Sequence, residues 1–508
     1  MTALHAPTNL PRWFLPALAA LGLGSWLLLS LWNDFPYFYH TDEPGKVRQI
    51  AENTRNLHHP LLLLESTATA VRARGLSSPQ DIVETGRSLS AAFAATAAIL
   101  LAWTVAQHRG PWTGLAAGLL LILQPDVHEY SRYLKEDAAL LFGVCAVFAA
   151  ATQLEKLPSP RSAAWLGLAT ALAISAKYAG AIMLIPAILC FPYQHKNRRL
   201  LAFAALATLV TCLALVNYRI LTDPATFRTS LSRETSMVLE GHAGVTKSIP
   251  HAGFFSRLLN RSAHLLPLCL AGTAAAWHTT RRHHRVEWFL ACSPLALASI
   301  LAFSAKDSGR YFLPACAGIA ATAALGLHQI ASSRFARFTI PATAAAALLS
   351  LARSWPYLHG FQSDARRELL AWSTASLPPG SRLIQGRKVC LPDAAGRFAD
   401  GYHLKTPVPF PIETVSYLPD AAPSPAALAA RGFTHLAIAG DEFERYLRSD
   451  QRPKEGRAAE FETRRRFYAA LDSEATLVWS RPPGKVGTHQ PELRLYQLDS
   501  PPPQPAAP

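Results

Sequence analysis

The stretch WFLPALAALGLGSWLLLSLW, Trp13 to Trp32, is an apolar run of 20 residues without a charge. At about 1.5 Å per helical residue it reaches about 30 Å, the thickness of a bilayer's hydrocarbon core. No small-x-small cleavage signal follows it, so it reads as an uncleaved signal anchor with the N-terminus in the cytoplasm. Immediately beyond stands Phe38-Tyr39-His40-Thr41-Asp42-Glu43-Pro44. Adjacent carboxylates at the mouth of a membrane helix are poor filler, because an ionisable group at the centre of a membrane helix costs roughly 2–3 kcal/mol. The competing reading makes Asp42 and Glu43 solvated loop residues that end a helix.

Further apolar runs recur at 87–106, 111–125, 137–154, 162–176, 179–193, 200–218, 259–279, 287–305, 311–330 and 338–357. With the first, they predict about 11 membrane spans, some short enough to be tilted or buried in protein. Composition agrees: 50% of the 508 residues are hydrophobic and 16% are charged, too apolar for an ordinary soluble enzyme. The net charge of +15 does not point to nucleic acid, because the basic residues are scattered between apolar runs with no basic and aromatic stripe. Six of the seven cysteines lie in apolar runs and only Cys390 lies in the polar C-terminal part, so no disulfide framework is implied.

The short inner loops then hold Arg109; Lys156 and Arg161; Lys196, Arg198 and Arg199; Arg281, Arg282 and Arg285; Arg334 and Arg337, a moderate positive-inside bias. His283-His284 read as part of that orientation signal. An odd number of spans places the chain beyond about 358 outside. There the pattern changes to a small α/β domain, 358–498, with a Pro-rich disordered tail, 499–508. Asp364 to Ser376 reads as an amphipathic helix. Strands are expected around Leu383, Leu436, Val478 and Leu495, and Asp441 is expected to cap the helix after the second of them.

With this topology the unusual polar residues gather on the outer side. They are Asp42 and Glu43; His58 and His59; Arg132, Lys135, Glu136 and Asp137; Lys177 and Tyr178; Asn217, Tyr218 and Arg219; His264; and Lys306, Asp307, Arg310 and Tyr311. An outward-facing polar cavity half-sunk in the membrane explains this. A carboxylate there can take a proton from an acceptor hydroxyl, and cations can hold a phosphate as it leaves. A lipid-linked donor can enter sideways from the membrane.

The order of these motifs resembles the GT-C membrane glycosyltransferases, in particular the branch of protein O-mannosyltransferases and bacterial lipid A aminoarabinose transferases. The resemblance rests on Thr41-Asp42-Glu43, His59-Pro60-Leu61, Ser131 to Asp137, Ala176-Lys177-Tyr178 and Gly309-Arg310-Tyr311-Phe312-Leu313-Pro314. It implies residues 1–357 as the transmembrane glycosyltransferase domain and the C-terminal domain as periplasmic. It further implies Asp42 as catalytic base, Glu43 as its assistant and Asp137 as the second site carboxylate. Lys177, Tyr178, Arg310, Tyr311, Arg132 and His59 would bind substrate. The reaction would be inverting transfer from a polyprenyl-phosphate-linked sugar to a lipid, glycan or protein acceptor, in a bacterial inner membrane. Some proteins of this architecture hold a divalent metal with similar carboxylates and a His, and that alternative stays open.

Each residue has a plainer reading. Asp137 could cap span four, Lys177 could snorkel to the interface, and Arg310 could anchor a membrane edge. Two other functions compete: a transporter or flippase of polyprenyl-linked sugars, and an O-antigen polymerase or ligase. Transporters place polar residues near the midplane on broken helices in repeated halves, whereas here the charges sit at the outer ends.

Overall fold

The computed structural model describes residues 10–240, 245–247, 260–280, 285–302, 309–393, 395–397, 408–449 and 451–498. Arg281, Arg282, His283 and His284, Lys306 and Asp307, and the expected tail 499–508 lie outside the described residues. The chain divides into two compact units. One comprises Met1–Asp34, Gly45–Ser236 and His251–Trp355; the other comprises Phe35–Pro44, Met237–Pro250 and Pro356–Pro508.

The first unit is helical. Its helices are α1 Phe14–Ser30, α2 Glu43–Ala51, α3 Leu62–Ala73, α4 Pro79–Arg109, α5 Pro111–Ile122, α6 Pro125–Tyr130, α7 Glu136–Lys156, α8 Pro160–Ala176 and α9 Leu184–Leu189. They continue as α10 Arg198–Val216, α11 Tyr218–Thr222, α12 Pro224–Glu240, α13 Leu266–Thr280, α14 Arg285–Ala302, α15 Ala315–Ala331 and α16 Thr339–Gly360. α2, α12 and α16 each carry residues of both units. Among the described residues, α4, α7 and α10 are long and apolar enough to cross a membrane, and α1, α5 and α15 are shorter apolar helices. The protein is a multi-span helical membrane protein. α10 turns Leu200, Phe203, Leu206, Val210 and Leu215 outward, a face that only lipid can cover favourably.

Local sequence sets the helix ends. The Ser78 hydroxyl accepts the Asp81 N–H at 3.1 Å ahead of Pro79, the first residue of α4. Gly110, at φ 86°, separates α4 from α5. Between helices the core is built from small side chains, with Ala91, Ala94, Ala98, Ala138, Ala169 and Ala173 all buried. Gly143 of α7 lies directly against the Ala173 backbone of α8, and Gly272 of α13 against the Thr322 carbonyl of α15. Such close backbone approach lets membrane helices gain dispersion contacts where lipid gives no hydrophobic drive. The apolar segment at 179–193 departs from expectation. It forms a 3-10 turn, Tyr178–Met183, and the short α9, and leaves the helix at Cys190. Lys177 is extended, and Gly180 packs on the Ala173 carbonyl where a side chain would not fit.

The second unit holds a five-stranded sheet ordered β3-β2-β4-β7-β6, from β2 Leu383–Gly386, β3 Ile412–Val415, β4 His435–Ala439, β6 Ala475–Arg481 and β7 Leu493–Leu498. β2 runs parallel to β3 and β4, and β7 runs antiparallel to β4 and β6. A separate antiparallel ribbon joins β1 Val245–Lys247 to β5 Gln451–Pro453. Every residue of β2 and β4 is buried, as expected of central strands covered on both faces. Alternation sorts them into two cores. Ile384, Leu436, Ile438 and Tyr496 pack with Phe467 and Leu471, while Leu383, Ala437 and Leu495 pack with Leu369. Among the described residues five helices complete the unit: α17 Ala365–Ser376, α18 Leu418–Ala421, α19 Pro425–Ala430, α20 Gly440–Leu447 and α21 Ala458–Glu474.

Two details differ from the sequence expectation. Asp441 does not cap its helix: α20 begins one residue earlier, at Gly440, and the Asp441 carboxylate pairs with Lys388. The aromatic segment Phe35–Pro44 belongs with the second unit. The Tyr39 hydroxyl donates to Asp364 at 2.5 Å, and the Arg366 guanidinium lies 4.4 Å from the centre of the Tyr39 ring. Phe35 meets the His489 ring edge-on at 4.3 Å. These contacts bind the aromatic half of the segment, Phe35 and Tyr39, to the sheet domain.

Candidate active site

Within the helical unit the site grows from the start of α7. Lys135 is extended and Glu136 and Asp137 form the first helical turn. Successive helical positions point about 100° apart, so the two carboxylates diverge. Glu136 pairs with Lys46 of α2, and both are buried. Asp137 Oδ1 accepts a hydrogen bond from Lys177 Nζ at 2.6 Å, while Arg310 Nε stands 4.0 Å from Oδ2. Asp137 Oδ2 makes no hydrogen bond among the described residues. Asp137 is nearly sealed from solvent, at 2% exposure, so it needs these cations to stay ionised.

Each cation reaches the cluster from a helix end. Lys177 ends α8, where the dipole favours positive charge. Arg310 and Tyr311 sit on the 3-10 turn Gly309–Phe312 ahead of α15. The Tyr311 ring lies under both cations, 4.6 Å from Lys177 Nζ and 5.4 Å from the Arg310 guanidinium. Gly309 packs against the Tyr130 hydroxyl, leaving no space for a larger residue.

His59 and Tyr178 join the same side. The Tyr178 hydroxyl donates to the Leu57 carbonyl at 3.0 Å. Leu61 N–H donates to Asn217 Oδ1 at 3.0 Å, and Asn217 Nδ2 donates to Ser175 Oγ at 2.8 Å. These bonds fasten the His58-His59-Pro60 loop to the end of α8. Burial depresses His59 to about 4; Glu136 opposes that shift and Lys46 and Lys177 add to it, so the ring is neutral at pH 7.

Asp42 and Glu43 close the Phe35–Pro44 segment. The Asp42 N–H donates to His40 Nδ1 at 3.2 Å, Asp42 is half-buried, and Glu43 is fully buried. Glu43 opens α2, with Lys46 one turn further along the same helix.

Arg132 occupies a different position from the cluster. Its Nε donates to the His128 carbonyl at 3.1 Å and its Nη2 to the Leu28 carbonyl at 2.8 Å, and Nη1 reaches the Leu31 carbonyl. It satisfies carbonyls at the C-terminus of α1, which have no partner within the helix. The sequence did not single out Lys46 as the partner of Glu136. Nor did it find Arg261, which lies 2.6 Å from Asp126 and 2.9 Å from Glu129. Among the described residues no group of three or more His, Cys, Asp or Glu is arranged to hold a metal.

This arrangement gathers Lys46, Lys177 and Arg310 around Glu136 and Asp137, three cations to two carboxylates. Such a site favours an anionic group, above all a phosphate, whose oxygens match ammonium and guanidinium donors.

Residues 80–226 match the family model described as dolichyl-phosphate-mannose-protein mannosyltransferase. ArnT from Cupriavidus metallidurans, solved bound to undecaprenyl phosphate, superposes with a TM-score of 0.51 at 12% identity over 95% of this chain and 98% of that one. The archaeal oligosaccharyltransferase AglB from Archaeoglobus fulgidus, solved with an inhibitory peptide and a dolichol-phosphate, gives 0.52 at 10% identity over 97% of this chain and 75% of that one. No curated protein matches the sequence. The chain thus shares the fold of ArnT and of AglB, and over residues 80–226 it is similar to the dolichyl-phosphate-mannose-protein mannosyltransferase family.

Proposed function

We propose that the protein transfers a sugar from a polyprenyl-phosphate-linked donor to an extracytoplasmic acceptor, with inversion at the anomeric carbon. Asp42 takes the proton from the acceptor hydroxyl. The resulting oxygen attacks the anomeric carbon, the carbon–oxygen bond to phosphate breaks, and polyprenyl phosphate leaves. Lys177 and Arg310 hold the phosphate and stabilise the charge that grows on it. The chain crosses the membrane about 11 times, and the site and the sheet domain are on the outer side of a bacterial inner membrane.

One observation carries the reading: two cations from distant parts of the chain, Lys177 at 2.6 Å and Arg310 at 4.0 Å, converge on the buried Asp137. The solved relatives, named with undecaprenyl phosphate and with a dolichol-phosphate, support the donor class.

The test uses polyprenyl phosphate itself as probe on purified protein in nanodiscs. Wild type should bind it and should not bind neutral polyprenol. Lys177→Ala combined with Arg310→Ala should weaken binding at least about tenfold, or about 1.4 kcal/mol. Equal binding of phosphate and alcohol would end the donor assignment. Counterflow of a lipid-linked sugar without a covalent product would favour a transporter.

A further inference from the structure

The second unit contains a cavity of about 590 Å³ that the transfer reaction has not yet used. Its position follows from topology. Gln385, Thr414 and Gly440 mark the carboxyl ends of β2, β3 and β4, and all three line it. The connection after β2 leads to β3 on one side, whereas β4 is followed by α20 and the path toward β6 on the other. Open sheets with parallel strands bind ligands in the crevice outside those strand ends, where the connections part. The volume falls within the range of small-molecule sites, roughly 300–1,000 Å³.

The lining indicates what would fit. Glu442, 1% exposed, reaches across to Gly386 at the end of β2, where any side chain would collide with its carboxyl. Its Oε1 accepts the Tyr468 hydroxyl at 3.1 Å, and its Oε2 makes no hydrogen bond among the described residues. Lys388 and Asp441 form an ion pair at the wall, offering donor and acceptor side by side. Tyr39 also lines the cavity, with its ring covered by the Arg366 guanidinium. α20 starts here, but its first turn carries Asp441 and Glu442, so its N-terminus is already served by acids and disfavours a phosphate. An extended peptide would pair along an open sheet edge, whereas this crevice lies at strand ends. Donors and acceptors set side by side match the neighbouring hydroxyls of a sugar.

His40, Thr41 and Pro44 form part of the same wall and flank Asp42 and Glu43. We propose that this cavity binds a saccharide portion of the acceptor, placing a hydroxyl-rich substrate beside the segment that carries Asp42. The proposal rests on the glycosyl-transfer reading and narrows its acceptor to a glycan or glycolipid.

Cys390 also lines the cavity, half-buried, with its Sγ donating to the Arg387 carbonyl at 3.2 Å. The test is the rate of maleimide alkylation at Cys390, read by peptide mass spectrometry on the full chain in nanodiscs. The probes are maltotriose, mannotriose, chitotriose and a threonine-rich peptide, with added N-acetylcysteine as the reference thiol. At least one trisaccharide should slow labelling of Cys390 about tenfold at roughly ten times its Kd and leave the reference thiol unchanged. Lys388→Ala with Asp441→Ala should abolish that protection, whereas Asp42→Asn should retain it while losing transfer. Protection without transfer in wild type would keep the cavity and end the transfer reading. Failure of every trisaccharide, protection by the peptide alone, or protection that persists in the double variant would overturn the proposal.

Discussion

In the helical unit Asp137 is buried against two cations, Lys177 at 2.6 Å and Arg310 at 4.0 Å, whereas in the sheet unit Glu442 is buried beside a tyrosine hydroxyl. The first carboxyl stands between two cations. The second is held close to neutral: burial raises it to about 7, and the Tyr468 hydrogen bond only partly offsets this. One protein thus has two polar sites of opposite character. The cationic one suits a phosphate, and the nearly neutral one suits hydroxyl groups.

The largest break in this comparison comes from removing the cations. Lys177→Ala with Arg310→Ala leaves Asp137 buried without a partner, which should destabilise the helical unit by about 3–5 kcal/mol. Asp137→Asn added to that pair should recover most of the loss, as thermal unfolding in detergent would show. A pair whose removal changes nothing would mean that Asp137 is already neutral.

Glu442 sharpens the other side. A carboxyl raised in the folded state binds its proton more tightly there. Its contribution is full below the ordinary value of 4.5 and is lost as the pH climbs through about 7. The sheet unit should therefore lose about 3 kcal/mol of stability over that interval. Glu442→Gln should flatten the profile, measured as chemical denaturation followed by tryptophan fluorescence between pH 4 and 8 (roughly the titration window). An unchanged slope in the variant would assign the pH dependence elsewhere.

Much of the helical unit was legible because apolar length and helix punctuation are local signals. Ser78-Pro79 and Gly110-Pro111 mark real ends, and eight of the expected apolar runs lie on helices within about four residues of their expected bounds. The segment at 179–193 was misread because close packing of Gly180 on Ala173, not hydropathy, decides its shape. Asp137, Lys177 and Arg310 were readable as charges at helix ends. Lys46 and Glu136, 90 positions apart, and Arg261 with Asp126, 135 apart, left no local trace. The aromatic residues before Asp42 were visible, but nothing nearby in the sequence assigns them to a sheet domain more than 300 residues onward.

Smaller effects separate structural from functional polar groups. Arg132→Ala should lower stability by about 1–3 kcal/mol through the carbonyls it serves, with donor KM unchanged. A raised KM would return it to the donor site. Tyr39→Phe removes the bond to Asp364 and should cost about 1–2 kcal/mol in the sheet unit. No change in its unfolding midpoint would show that the aromatic packing alone holds the Asp42 segment.

Transfer of radiolabel from a polyprenyl-phosphate-linked sugar to envelope acceptors, compared between wild type and Asp42→Asn at equal folded concentration, tests the central claim most directly. A general base contributes about 100- to 10,000-fold, so label incorporation should fall by at least about 100-fold with polyprenyl phosphate binding retained. Equal incorporation by the two proteins would contradict the assignment of Asp42 as the base.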